Sequence, residues 1–348
     1  MDDSHIWAVV LAGGEGTRVR RFLQQFCGGS GLKQFSTIIG QRSMLRCTLD
    51  RVVQLIPPER VLIVVSAEHR DDVEEQLAHW PRENIIYQPA NRDTAPGILL
   101  PLAHITNRDP AATVVVFPSD HFILDEDRFM GAVQKALLEL QSNPSRMILL
   151  GMPPQRGEET EYGYIVGTGK SAHGNAIPVA GFVEKPPLPQ AKELIQRGAL
   201  WNTMVFAVEN GALWDMVQRT APILYHAFRL IQMNLRAGSP SQAVEHIYQA
   251  IPAVNFSSAI CEPLAARLYV LPVPDVGWSD WGTVGSILRT LKKLGEFDAF
   301  CARAGKTQVQ PAWQSAKRSA SRAVPSRTAL SGPAKPDLFI EHAAGRGH

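Results

Sequence analysis

Five short, continuous apolar runs recur through the first 152 residues: IWAVVLA (6–12), VLIVVS (61–66), NIIYQ (84–88), TVVVFPSD (113–120) and MILLGM (147–152). A strand that is apolar at nearly every position has both faces covered, which sets it apart from a strand with one face in water. The intervening segments have a helical period. Leu45, Thr48, Leu49, Val52, Val53 and Ile56 share one face, as do Val73, Leu77 and Trp80 within 68–80, and Phe129, Val133, Leu137 and Leu140. Strands alternating with helices predict an α/β fold: a mostly parallel, Rossmann-like sheet covered by helices on both faces. The second half mixes strands (YGYIVG, PVAGFVEK) with helices (AKELIQRG, and GALWDMVQRT broken near Pro222), which predicts a mixed α+β portion extending the same sheet.

Ligands of such sheets bind beyond the carboxyl ends of the strands. That rule puts GGEGTR, QPANRDTAP and PSDH on one rim, since each follows a predicted strand. The glycines of the first segment let backbone N–H groups approach an anion closely. Three sites use this device. A dinucleotide fingerprint needs a third glycine, which Gly14-Glu15-Gly16-Thr17-Arg18-Val19 lacks, and a P-loop needs a Lys-Ser or Lys-Thr that is absent. The third pattern is Gly13-Gly14-Glu15-Gly16-Thr17-Arg18 completed downstream by Lys33-Gln34-Phe35. Backbone amides, one arginine and one lysine can neutralise a triphosphate while leaving its α-phosphorus open to attack.

Eight ordered segments, LAGGEGTR, LKQF, QPANRDTAPGI, FPSDHFI, YGYI, FVEKP, LWNT and GWSDWGT, together resemble the mannose-1-phosphate guanylyltransferase family of sugar-1-phosphate nucleotidyltransferases. The resemblance implies a nucleotidyltransferase domain over 1–294, its nucleotide part about 1–150 and its sugar part about 151–294. Gly13, Gly14, Gly16 and Thr17 would line the nucleotide, with Arg18 and Lys33 as catalytic residues facing its phosphates. Gln88, Arg92, Asp93 and Thr94 would border base and ribose. Gly163, Glu184, Lys185 and Asn202 would bind the sugar phosphate, and Asp120 and Asp280 would hold Mg²⁺. The expected substrates are a nucleoside triphosphate, GTP favoured, and a sugar 1-phosphate. Plainer readings exist: Asp120 as a cap, Asp280 as a buried acceptor, Glu184-Lys185 as a surface ion pair, Asn202 as a turn residue. His121 is read as structural.

The sequence departs from the family at several points. Leu32 stands where proline precedes the lysine, Gln88-Pro89 replaces Glu-Pro, and Trp201-Asn202-Thr203-Met204 replaces W-N-S-G; SSAICEP after Phe256 lacks an aspartate that many relatives carry. Methionine for glycine fills space beside the sugar, so another hexose 1-phosphate remains an alternative. A non-catalytic relative that binds a nucleotide-sugar as a regulatory subunit is a second.

A formal net charge of +2 gives no argument for nucleic acid or membrane partners. The charge is uneven: from Cys301 onward eight Lys/Arg face two Asp/Glu, and residues 295–348 are expected to be a basic, disordered tail. That tail is too short for the isomerase extension of longer family members. Four scattered cysteines without a C-x-x-C pair predict free thiols and a cytoplasmic protein. The resemblance leaves room for a homo-oligomer.

Overall fold

The protein, seen in a computed structural model, is described here over residues 3–154, 160–169, 175–238, 241–273 and 275–306. Its strands are β1 (Ile6–Ala12), β2 (Val61–Ser66), β3 (Ile85–Gln88), β4 (Thr113–Pro118), β5 (Met147–Met152), β6 (Gly163–Gly167), β7 (Ile177–Glu184), β8 (Leu200–Glu209) and β9 (Leu268–Pro272). They form one sheet in the order β3-β2-β1-β4-β8-β5-β9-β7-β6, with a further β8–β6 pairing. The helices are α1 (Thr17–Cys27), α2 (Met44–Val52), α3 (Arg70–Gln76), α4 (Thr94–Arg108), α5 (Glu126–Ser142), α6 (Leu188–Gln196), α7 (Asn210–Thr220), α8 (Pro222–Arg236), α9 (Ser241–Ala250), α10 (Val284–Lys293) and α11 (Phe297–Lys306).

The five apolar runs are β1 to β5. β1 pairs in parallel with both β2 and β4, and β2 with β3, giving the Rossmann-like half. Beyond β4 the sheet is mixed, because β8 enters antiparallel between β4 and β5 while β5 pairs in parallel with β9. Alternation along β1 explains the two-faced burial. Ala8, Val10 and Ala12 join one core with residues of α2 and α5, whereas Trp7 and Val9 join a second core with α4, α7 and α8.

Pro222 is the first residue of α8, where its missing N–H costs no helical bond. The helix expected over 68–80 is shorter, Arg70–Gln76, with Trp80 outside it donating its indole N–H to the Val61 carbonyl. The expected boundary at Leu294 is corrected. α11 continues the folded chain to Lys306, because Phe300 is 1% exposed and stacks on Phe22 and Phe26 of α1. The remainder of the expected tail, 307–348, lies outside the described residues.

Candidate active site

β1, β2, β3 and β4 end on one rim, where the glycine turn 13–16 links β1 to α1. Gly16 adopts a left-handed conformation (φ 56°) at the helix N-cap, and its carbonyl accepts from the Val19 and Arg20 amides at 3.2 and 3.0 Å. Gly13 lies directly beneath the Gln88 amide, which a Cβ would strike. Gln88 is held there by the Tyr248 hydroxyl, which donates to Oε1 at 2.8 Å. Gln34 Nε2 donates to the Ala12 and Gly14 carbonyls at 3.0 and 2.8 Å, tying the glycine turn to the lysine turn.

These residues open onto a cleft of about 470 Å³, lined among others by Gly13, Gly14, Gln88, Asn91, Asp93 and Thr94. Five expected nucleotide residues therefore share one cavity. The others stand apart. Thr17 is the exposed first residue of α1, and Gly16 serves the turn. Arg92 bonds the Gln249 carbonyl and is not part of the cleft lining. Asp93 has φ 67° and caps α4, accepting from the Thr94 amide at 2.6 Å, while the Thr94 hydroxyl accepts from the Phe256 amide at 2.8 Å.

Next to the cleft the structure joins residues far apart in sequence. Phe122 and Ser279 form an isolated antiparallel bridge with two reciprocal 2.9 Å hydrogen bonds, carrying Asp120 and Asp280 to one place. Between them stands Lys33, 5% exposed, its ammonium 2.8 Å from Asp120 Oδ2 and donating to the Asp280 carbonyl. Asp280 Oδ1 accepts from the Tyr162 hydroxyl at 2.6 Å and the Gly282 amide at 3.0 Å. A Cβ on Gly282 would meet the Asp280 carboxylate and sit 3.1 Å from Arg18 Nη2, so Arg18 belongs to the same cluster. Arg18 Nη1 pairs with Glu161 at 2.8 Å, both side chains half exposed.

Electrostatics follow the geometry. Burial pushes the Asp120 carboxyl up, but the Lys33 ammonium and His121 outweigh it and hold it below its ordinary value. Burial lowers His121 against the opposing pull of Asp120, favouring neutral imidazole. Its Nδ1 lies 3.2 Å from the Trp278 indole N–H and accepts from it, which leaves the proton on Nε2. His121 thus bonds Trp278 on one side and faces Asp120, 3.9 Å from its Nε2, on the other.

The residues expected to bind the sugar phosphate also meet. Gly163 opens β6 and pairs with Glu184 at the end of β7; a Cβ there would be 2.7 Å from Glu184 Oε2 and 3.3 Å from Asn202 Cβ. Burial pushes Glu184 up; Lys185 opposes and Glu262, whose carboxylate accepts from the Glu184 amide at 3.4 Å, reinforces it. Lys185 is half exposed, its ammonium 3.8 Å from Glu184 Oε1.

Asn202 sits on a bulge of β8. The pairing with β5 steps from Leu149↔Phe206 to Gly151↔Asn202, with Met204 at φ 57° in between. A non-glycine residue held left-handed costs roughly 1–2 kcal/mol. Side chains hold it: the Met204 amide donates to Asn202 Oδ1 at 3.1 Å, the Val205 amide to Thr203 Oγ1 at 3.1 Å, and Thr203 Oγ1 to the Leu150 carbonyl at 2.8 Å.

Sequence reading missed Tyr162, Gln34, Gly282, Tyr248, Ser257 and Glu262. The first three fall inside quoted motifs, but nothing local marks their partners. Ser257 heads a π-helical turn, Ser257–Cys261, a feature frequent at functional sites.

Among the described residues no group of three or more His, Cys, Asp and Glu is placed to hold a metal. The Asp120–Asp280 pair is a smaller set of hard oxygens, and the fold already holds a cation, the Lys33 ammonium, against both residues. That donor set fits Mg²⁺, which commonly takes one or two carboxylates and completes its shell with phosphate oxygens and water. No helix among the described residues is long and apolar enough to cross a membrane.

Comparison with known proteins bears on the family and the fold. Residues 7–296 match the model of the nucleotidyl transferase family. A mannose-1-phosphate guanylyltransferase of Escherichia coli is 31% identical over 300 residues, covering 82% of this chain and 60% of its own length. The alginate biosynthesis protein AlgA of Pseudomonas syringae is 29% identical over 285 residues, covering 80% and 57%. The chain thus spans about 60% of the length of these curated relatives. A Thermus thermophilus crystal structure, described as a mannose-1-phosphate geranyltransferase, superposes with a TM-score of 0.70 at 29% identity, covering 82% of this chain and 79% of that one. The family model spans most of the chain, and the chain belongs to the nucleotidyl transferase family.

Proposed function

We propose that the protein transfers a nucleotidyl group from a nucleoside triphosphate to a sugar 1-phosphate, releasing pyrophosphate, with GTP and mannose 1-phosphate as the favoured pair. The observation that carries this reading is the convergence of Lys33, Asp120, Asp280 and Arg18 beside the glycine-turn cleft.

The chemistry needs little from a base, because a sugar-phosphate oxygen is already anionic at neutral pH. The obstacles are repulsion between two anions and charge building on the departing pyrophosphate. Mg²⁺, held by Asp120 and Asp280, would supply charge neutralisation at the phosphates. Lys33 supplies a fixed positive charge from a buried position, so no reorganisation is required when charge develops. Arg18 adds a second. Its half-exposed pair with Glu161 is worth at most about 1 kcal/mol, so a polyphosphate displaces Glu161 readily. The glycine turn and Gln88 hold the nucleotide, and Glu184 and Lys185 take the sugar hydroxyls and phosphate, aligning the two for in-line attack.

The test is pyrophosphate release by purified protein with Mg²⁺, crossing four nucleoside triphosphates with mannose, glucose and galactose 1-phosphates. Release with GTP and mannose 1-phosphate supports the full reading. Release with another pair keeps the reaction and replaces the substrates, an outcome that the methionine at position 204 makes worth testing. Binding of a nucleotide-sugar with no release across the grid rejects catalysis and leaves a nucleotide-sugar-binding regulatory protein.

A further inference from the structure

Lys33 stands on a turn whose approach segment restrains itself very little. The chain reaches it through Gly28, Gly29 and Gly31, at φ 75°, 61° and 68°, and glycine leaves a backbone freer than any other residue does. Leu32 follows at φ −68°, the value a proline ring would impose, with no ring to impose it. The restraint comes from α3. His69 directly before this helix, and Asp72 and Gln76 on it, are spaced by three and four residues and so form one stripe. All three meet the segment that carries Lys33. The Ser30 hydroxyl donates to Asp72 Oδ1 at 3.1 Å, and Gln76 Nε2 donates to the Phe35 carbonyl at 2.9 Å. The His69 ring meets the Phe35 ring edge-on, with centroids 6.0 Å apart. The neighbouring stripe of α3, Val73 and Leu77, is buried in one core with residues of β2, so the helix is a fixed support.

The Ser30 contact governs the glycine segment. Ser30 Oγ also accepts from the Leu32 amide at 3.4 Å, and the Ser30 carbonyl accepts from Arg20 Nε at 3.3 Å. One hydroxyl thus joins the residue before Lys33 to a carboxylate on a fixed helix, and hydrogen bonds to a charged acceptor are the stronger kind. The placement it secures is exacting. The Lys33 ammonium stands 2.8 Å from the Asp120 carboxylate while donating to the Asp280 carbonyl. A misplacement of about 1 Å arising away from the chemistry can cost about 10²-fold in rate. Asp72 is not among the residues lining the cleft. Resting on the assignment of Lys33 to the triphosphate, we infer that Asp72 is a positioning residue: through Ser30 it fixes the lysine turn, and with it the place of the Lys33 ammonium.

The experiment compares Asp72→Ala, Ser30→Ala and Asp72→Asn with the wild type, and adds Asp72→Ala to Lys33→Met. One readout is pyrophosphate release in Mg²⁺ with GTP and mannose 1-phosphate. The other needs no turnover: the rate at which acetic anhydride modifies Lys33, followed by peptide mass spectrometry. Asp72→Ala and Ser30→Ala are each expected to lower kcat about 10–100-fold with KM for GTP within about threefold, as when an interaction made only in the transition state is lost. Loss of the clamp should also open the turn and speed Lys33 acetylation at least about tenfold. Asp72→Asn keeps an Oδ1 acceptor for the Ser30 hydroxyl and should recover both readouts to within about threefold of wild type. In Lys33→Met, adding Asp72→Ala should change turnover by less than about twofold, because no ammonium is left to place. A kcat for Asp72→Ala within about threefold of wild type overturns the inference, as does an Asp72→Asn as impaired as Asp72→Ala, or a further tenfold fall in Lys33→Met. A wild type that releases no pyrophosphate rejects the proposed reaction alone. The clamp is then upheld by faster Lys33 acetylation in Asp72→Ala and overturned by an unchanged rate.

Discussion

Replacing Lys33 by methionine removes a cation that is 5% exposed and 2.8 Å from the Asp120 carboxylate. Methionine keeps much of the lysine stem's volume, so the packing loss is small. What remains is a carboxylate close to the Asp280 carbonyl without its ammonium. Removing one partner of a buried pair costs about 3–5 kcal/mol. Because 31% of the Asp120 side chain is exposed, water solvates part of the orphaned charge, and the expected loss is about 2–3 kcal/mol. At roughly 2–4 °C per kcal/mol for a large domain, Tm should fall by about 5–10 °C.

The pH dependence supplies an internal check. In the wild type Asp120 is held below its ordinary value, so its contribution is present above the unfolded pKa of about 3.9 and is lost as pH falls through the folded value. In the variant the Lys33 charge and hydrogen bond that oppose burial are gone, and the Asp120 carboxyl rises. The folded state then favours protonation, and the variant loses less stability on acidification. Calorimetric scans in EDTA at pH 7, 5 and 3.5 should show the Tm gap narrowing as pH falls. A gap of equal size at every pH, or none at pH 7, would refute the reasoning. Turnover in Mg²⁺ should fall by about 10²–10³-fold, the scale for a lost charge-stabilising donor.

Asp280→Asn keeps the size of a side chain bonded to Tyr162 and Gly282 but removes its charge, so pyrophosphate release should fall at least about 10²-fold with a Tm shift under about 4 °C; turnover within threefold of wild type would remove Asp280 from the metal pair. Gly13→Ala drives a Cβ into the Gln88 amide and breaks its bond with Tyr248, so KM for the nucleotide should rise about tenfold, with a packing cost of about 1–3 kcal/mol. A normal nucleotide KM would separate Gln88 from nucleotide binding. Phe300→Ala opens a hole between α11 and α1 and should cost about 3–5 kcal/mol by thermal or urea unfolding. A loss below 1 kcal/mol would mean that α11 does not buttress the fold.

Much of the parallel half was legible because its signals are local. Continuous apolar runs reported β1 to β5, and period reported α2 and α5, because burial on one or two faces is written directly into residue spacing. The glycine turn was legible through Gly16, whose left-handed φ of 56° at the α1 N-cap is a local demand, whereas the close approach of Gln88 to Gly13 comes from a distant strand. The second half was harder. β8 reads as one strand in isolation, and nothing along it says that it enters antiparallel between β4 and β5. α11 was misread as tail because Ala, Gly and Lys around it resemble linker composition; only its contact with Phe22 and Phe26 fixes it as a helix of the core.

The sequence by itself determined which chemistry was on hand: a glycine-lined turn, a lysine, two aspartates 160 positions apart, and a Glu-Lys pair after a strand. Which of these act together was decided by tertiary structure. The Phe122–Ser279 bridge brings Asp120 to Asp280, Lys33 reaches both from a turn almost 90 residues before Asp120, and the β8 bulge sets the Met204 sulfur against Asn202 and Ser257. The physical reason is range. Propensity, period and glycine conformation act over a few residues and leave a trace in the local string, whereas a hydrogen bond between distant loops depends on the closure of the whole sheet, to which every strand contributes.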